Sequence, residues 1–180
     1  MEVLIFDQME ACTEAEVARM LPMVSTQRRE QAMKYKHLFG RFCCLKSWLM
    51  LQEMSGERMT GEWKYNEHGK PYLPNGPYFS ISHCKEGIAV AIDEKPIGID
   101  IEGIRRADEE LIARVMNEEE RVEMNDRMFT RLWTQKEAIV KAEGVGIQSF
   151  EQLQDVRSQN TAFRIQTIEN EKYIYSIAYK

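Results

Sequence analysis

The chain has 180 residues, 43% of them hydrophobic, which is enough apolar side chain for one core or two small halves sharing a core and excludes a disordered chain. A net charge of -5 removes the broad basic surface on which a general nucleic-acid binder depends, so no nucleic-acid partner is expected. Cys12, Cys43, Cys44 and Cys84 form neither a CxxC pair nor a regular framework, which fits reduced thiols and a cytoplasmic chain.

Val3-Leu4-Ile5-Phe6 is too short for a signal sequence or a membrane span and reads as a first strand, with no membrane partner expected. Thr13-Glu14-Ala15-Glu16 predicts a capped helix start, and Ser25 followed by Arg28, Arg29 and Glu30 predicts another. Phe42, Leu45, Leu49 and Met50 recur at helical spacing within a helix expected over Phe39 to Met54, with Gly56 to end it. The stretch "NEHGKPYLPNGPYFSISH" holds too many Gly and Pro residues for a long helix. It leads into three short runs, "YFSIS", "GIAVAI" and "PIGIDIE", expected to be neighbouring strands. Asp108 to Met116, Glu118 to Met124 and Phe129 to Ala142 read as helices, the last stopped by Gly144. Phe150 to Val156, Ala162 to Ile168 and Lys172 to Tyr179 read as antiparallel strands, with Glu169-Asn170 as the final turn. Strand and helix blocks therefore occur twice in similar order. An α+β protein is expected, built from two similar halves, residues 1–90 and 91–180.

Asp100 and Glu102 interrupt an otherwise buried strand, and at positions i and i+2 their carboxylates project from one face. Two like charges there call for a cation. On the later helix Trp133, Lys136, Glu137, Val140 and Lys141 share a broad face, so Asp100, Glu102 and Glu137 form a candidate oxygen-ligand set for Mg²⁺, with Lys141 beside a phosphate. Singly, each motif has a plainer reading: exposed strand-end charges for Asp100 and Glu102, a solvated ion pair for Glu137 and Lys141. His83 at a strand end could donate to a phosphate or satisfy a backbone carbonyl, and Lys70 could be a solvated turn residue. A zinc site from His68, His83 and Cys84 lacks the usual ligand spacing. Gly144-Val145-Gly146 lacks the lysine and hydroxyl of a phosphate loop. Met116, Met124, Met128 and Phe129 could fill core or form an adaptable partner surface, and Met116, Met124 and Phe129 are the candidate docking row.

Taken together, "GKPYLPNGPYFSISH", "IGIDIE" and "WTQKEAIVKAEGVGI", in that order and with a helical insert between the last two, resemble 4'-phosphopantetheinyl transferases of the surfactin-synthetase-activating type. The resemblance implies two similar α+β halves with the active site in the cleft between them, the first half on the nucleotide side of coenzyme A and the second carrying the metal and catalytic motifs. It implies transfer of the phosphopantetheine arm from coenzyme A to a serine of an apo acyl or peptidyl carrier protein, by a monomer. By the same resemblance Asp100, Glu102 and Glu137 look like ligands of Mg²⁺, with Mn²⁺ as an alternative, and Lys141 and His83 like diphosphate contacts. Lys70, Ser82, Arg41 and Arg28 look like the nucleotide and 3'-phosphate side. Glu120 resembles the carboxylate that activates water, with Glu137 the alternative base. Ser80 after Phe79, and Gln31 in place of a second basic residue, depart from the family pattern. A metal-dependent nuclease and a binding module without turnover are the rival readings; the acidic balance opposes the first, and the intact acids and lysine oppose the second.

Overall fold

The structure, a computed structural model, describes residues 1–56, 63–146, 153–154 and 162–180. Strand β1 (Glu2–Phe6) leads into α1 (Glu14–Met20), whose first turn is capped by Thr13 Oγ1 accepting from the Glu16 amide. Ser25 caps α2 (Thr26–Met33) in the same way, and α3 (Leu38–Ser55) follows as a long buried helix. A short hairpin, β2 (Lys64–Tyr65) and β3 (Pro71–Tyr72), precedes β4 (Tyr78–Cys84), β5 (Gly87–Asp93) and β6 (Ile97–Gly103). The second half continues with α4 (Glu109–Val115), α5 (Asp126–Glu143), β7 (Arg164–Glu169) and β8 (Tyr173–Tyr179). The mixed α+β class is the one expected. The predicted strand at Phe150 to Val156 lies, apart from residues 153–154, outside the described residues.

Two three-stranded antiparallel sheets organise the chain, in the orders β1-β5-β4 and β6-β8-β7. Each is made the same way: an opening strand at one edge, an intervening long helix, then a hairpin whose second strand takes the centre. The topological repeat turns over between Asp93 and Ile97, whereas a boundary at residue 90 would fall inside β5.

Alternation along the strands assigns each face. On β5, Ile88, Val90 and Ile92 join α3 and the Trp48, Trp63 and Phe79 rings in the first core, while Ala89 and Ala91 face the second sheet. On β6, Ile97, Ile99 and Ile101 meet those alanines, and each isoleucine contributes about 1.5–3 kcal/mol by leaving water. The alternate residues, Gly98, Asp100 and Glu102, must then face α5. Gly98 confirms the geometry, because a Cβ there would lie 2.0 Å from the Ala138 carbonyl oxygen. At the seam between the sheets β4 offers hydroxyls: Ser80 Oγ accepts from the Ile99 amide at 3.1 Å.

Two expectations are corrected. Glu118 to Met124 is a series of turns instead of a helix. Asn117 and Glu120 close a reciprocal box, the Glu120 amide donating to Asn117 Oδ1 and the Asn117 amide to Glu120 Oε2, and Glu123 turns left-handed at φ 55°. The candidate docking row is also internal. Met116 and Phe129 are fully buried with Val115 and Leu132, and Met124 packs on them, because α5 presents this face to α4. The exposed apolar side chains nearby are Val122 and Met128.

Candidate active site

Helix α5 starts at Asn125, whose Oδ1 accepts from the Met128 amide, and ends at Gly144, whose left-handed backbone only glycine adopts readily. Between these stops it lies across β6 so closely that only Gly98 fits beneath it, which brings Lys141 onto Asp100. Lys141 Nζ lies 2.5 Å from Asp100 Oδ1 and 3.1 Å from Ser82 Oγ, and Ser82 donates to the same carboxylate oxygen at 2.7 Å. Asp100 is 3% exposed, and its second oxygen, Oδ2, is buried without a hydrogen-bond partner among the described residues.

The electrostatics follow from crowding. Burial pushes the Glu137 carboxyl up to about 7, Asp100 and Glu102 add to the rise, and Lys141 opposes it. Glu102 is likewise raised, first by burial and then by Asp100, with its Trp133 hydrogen bond acting the other way. Burial would lower Lys141, but Asp100, Glu137 and Glu102 together hold its ammonium above the ordinary range. These side chains therefore form one coupled cluster. They do not converge as a ligand shell: among the described residues no three His, Cys, Asp or Glu side chains are arranged to hold one metal ion, neither the three acids nor the zinc alternative. Lys141 already occupies one face of Asp100.

A cavity of about 260 Å³ opens on the cluster, lined by Lys70, Phe79, Ser80, Glu137, Lys141 and Gly146 among others. A second, of about 220 Å³, shares Gly69, Pro71 and Ile81 with it and extends past His83, Tyr35, Trp63 and Arg28. Together they make a cleft running from Glu137 and Lys141, the cluster members that line it, to an aromatic-lined end. Such a cleft suits an elongated ligand with charge at one end and a flat ring at the other.

Residues 96–180 match the 4'-phosphopantetheinyl transferase superfamily. That match takes in Asp100, Glu102, Glu137 and Lys141. It is 31% identical over 120 residues to 4'-phosphopantetheinyl transferase gsp of Aneurinibacillus migulanus, a match covering 63% of this chain and 50% of that protein. It is 27% identical over 150 residues to 4'-phosphopantetheinyl transferase Sfp of Bacillus subtilis, covering 75% and 66%. With 4'-phosphopantetheinyl transferase AcpT of Escherichia coli K12 it shares 42% over 92 residues, covering 44% and 47%. The chain thus spans between about half and two thirds of the length of these curated relatives.

The remaining candidates lie in several places. His83 sits on β4 beside the cleft with its ring edge-on to Phe39 at 5.7 Å; surrounding protein, and then the Lys141 charge, lower its pKa. Arg28 is buried and turned inward: its Nε and Nη2 donate to the Cys44 carbonyl oxygen at 3.0 and 2.8 Å, and its guanidinium lies 4.5 Å from the Trp63 ring centroid. Arg41 donates from Nε to the Tyr35 carbonyl. The Lys70 ammonium donates to the main-chain oxygens of Lys141 and Ile97.

Glu120 lies apart from the acid cluster. Its Oε2 is 2.6 Å from Lys136 Nζ, and Lys136, fully buried, also donates to the carbonyls of Val115, Leu153 and Gln154. Lys136 thus leaves the face it was expected to share with Glu137 and fastens α5 to the segment after α4. Lys136→Met is expected to destabilise the fold by about 3–5 kcal/mol, because the carboxylate stays buried when its cation goes. Pairing it with Glu120→Gln is expected to recover more than half of that loss. Urea unfolding measures both, and a single-variant loss below about 1 kcal/mol would contradict this role.

Sequence reading missed two residues that build the site. Gly98 was visible as a glycine inside a strand pattern, a mark of close backbone approach. Asn66, whose Nδ2 donates to the Gly144 carbonyl at 2.7 Å, gave no signal beyond turn composition.

Proposed function

We propose that this chain transfers the 4'-phosphopantetheine group of coenzyme A to a serine of an apo acyl or peptidyl carrier protein, releasing adenosine 3',5'-bisphosphate, and that it does so as a cytoplasmic monomer. No helix among the described residues is long and apolar enough to cross a membrane. The observation that carries the reading is the coupled Asp100, Glu102, Glu137 and Lys141 cluster, of which Glu137 and Lys141 line the charged end of a long cleft.

The oxygen chemistry of these donors suits Mg²⁺, with Mn²⁺ as the alternative, although Asp100, Glu102 and Glu137 do not converge on one point in this structure. The buried Asp100 Oδ2 lacks a partner, and Glu102 and Glu137 supply further hard oxygen donors of the kind such ions select. When bound, the ion would supply charge neutralisation at the diphosphate. The protein's own groups do the rest. Lys141 presents a fixed positive charge where phosphoryl oxygens gain negative charge, and Ser82 fixes the Asp100 carboxylate that orients it. His83, on the wall of the adjoining cavity, is the further candidate donor to the diphosphate.

As the carrier serine oxygen bonds to the pantetheine-side phosphorus, the phosphoanhydride bond breaks and its electron pair leaves on the nucleotide phosphate. The serine proton goes to Glu137, the cluster carboxylate that lines the cleft, while Glu120 stays with Lys136. Arg28 lines the aromatic end, and its inward hydrogen bonds make it a wall there more than a phosphate clamp, whereas Arg41, donating to the Tyr35 carbonyl, lies outside the cavity lining.

Incubation with coenzyme A, Mg²⁺ and an apo carrier protein should add one phosphopantetheine mass to the carrier by intact-mass spectrometry. EDTA should abolish the gain and excess Mg²⁺ restore it. Coenzyme A binding without mass gain would mean a module without turnover, and cleavage of added DNA with no carrier change would mean a nuclease.

A further inference from the structure

We propose that the β2–β3 hairpin is a latch on the last turn of α5, and that Lys70 and Asn66 are positioning residues that set where the Lys141 ammonium points. The last helical bond of α5 runs from the Gly144 amide to the Val140 carbonyl, so the carbonyls beyond it must find donors elsewhere. Those oxygens also carry the negative end of the helix dipole, which favours a cation. The hairpin supplies both partners. Lys70 Nζ donates to the Lys141 carbonyl and, at 3.3 Å, to the Ile97 carbonyl at the start of β6. Asn66 Nδ2 takes the Gly144 carbonyl at 2.7 Å.

The hairpin is itself preformed for this. Asn66 Oδ1 accepts from the amides of His68 and Lys70 at 3.0 and 2.9 Å, and the Asn66 amide donates to the Lys70 carbonyl at 3.0 Å. One asparagine therefore closes the turn and grips the helix. A Cβ on Gly144 would come within 3.4 Å of both Asn66 Nδ2 and Lys70 Cδ, so hairpin and helix end are in direct contact.

Lys70 holds the carbonyl of the same residue whose side chain reaches Asp100 and Ser82. Any rotation of that turn moves the Lys141 ammonium off the acid cluster. The Lys70 ammonium, aimed at main-chain oxygens, acts through Lys141 and not on a ligand.

The kinetic side of this inference rests on the transfer reading above; the structural side does not. The test uses the full chain with Lys70→Met, Lys70→Arg and Asn66→Ala, measuring kcat, KM for coenzyme A, and amide hydrogen exchange at Gly144 and Val145. Lys70→Met and Asn66→Ala should each lower kcat about tenfold, leave KM within about twofold, and speed exchange at the helix end. Lys70→Arg, which keeps charge and donors, should recover most of the kcat. A tenfold higher KM with kcat retained in Lys70→Met, together with a wild-type Asn66→Ala, would overturn the proposal and make Lys70 a ligand contact. If the wild-type chain transfers nothing, the transfer reading fails alone, and unchanged exchange in both variants would still overturn the latch.

Discussion

Asp100→Asn is expected to lower kcat/KM for phosphopantetheine transfer by about 10³-fold while the protein stays folded. The substitution keeps the shape and the acceptor for the Ser82 hydroxyl, so the change is one of charge. It takes from Lys141 the anion 2.5 Å away and removes the buried oxygen that lacks any other partner. A fully buried cation left alone would cost about 3–5 kcal/mol. Lys141 keeps Glu137 and Glu102 as neighbours and its side chain is 28% exposed, so the stability loss should be nearer 1–2 kcal/mol. Circular dichroism and urea unfolding separate the two effects. Activity within threefold of wild type would remove Asp100 from the mechanism.

Gly98→Ala is expected to be the most damaging single methyl in the chain. The added carbon would lie 2.0 Å from the Ala138 carbonyl oxygen and 2.4 Å from the Ala142 amide nitrogen, both backbone atoms of α5 that cannot rotate away. Overpacking of a filled core costs typically about 1–3 kcal/mol, and a clash this deep with helix backbone should reach or exceed the upper figure. That corresponds to a fall of roughly 10 °C in Tm for a domain of this size. The functional loss should outlast the stability loss. Even at temperatures where the variant is folded, α5 must lift from β6, drawing Glu137 and Lys141 away from Asp100, so transfer should remain at least tenfold down. A variant with wild-type Tm would mean that α5 and β6 are not packed at this distance.

Much of this was legible in the chain because periodicity and punctuation are local. The two-residue alternation of "IGIDIE" already put Asp100 and Glu102 on one face, Thr13 and Ser25 stand as helix caps, and Gly144 stands at the stop of α5, although that helix begins at Asp126 behind an Asn125 cap instead of at Phe129. The errors came where a local pattern had two physical outcomes. Glu118 to Met124 has helical composition, but Asn117 and Glu120 satisfy each other's backbone first and Lys136 then draws Glu120 into the core. Met116 and Phe129 make an apolar row whether it faces solvent or α4, and only tertiary packing decides which. Arg28 and Lys70 are cations beside a cleft, yet both donate inward to carbonyls. Nothing in sequence distance reveals that, since the partners lie 16 and 71 residues away.

The repeated sheet topology has a consequence for cooperativity. β5 is covered by α3 on one side and by the isoleucines of β6 on the other, so parting the repeats would strip the same strand that centres the first sheet. Each repeat is a unit of architecture without being a unit of stability. Melting either one exposes the seam that the other needs, and the hydroxyls of β4 and the helix of the second half keep their relative placement only while the whole chain holds together.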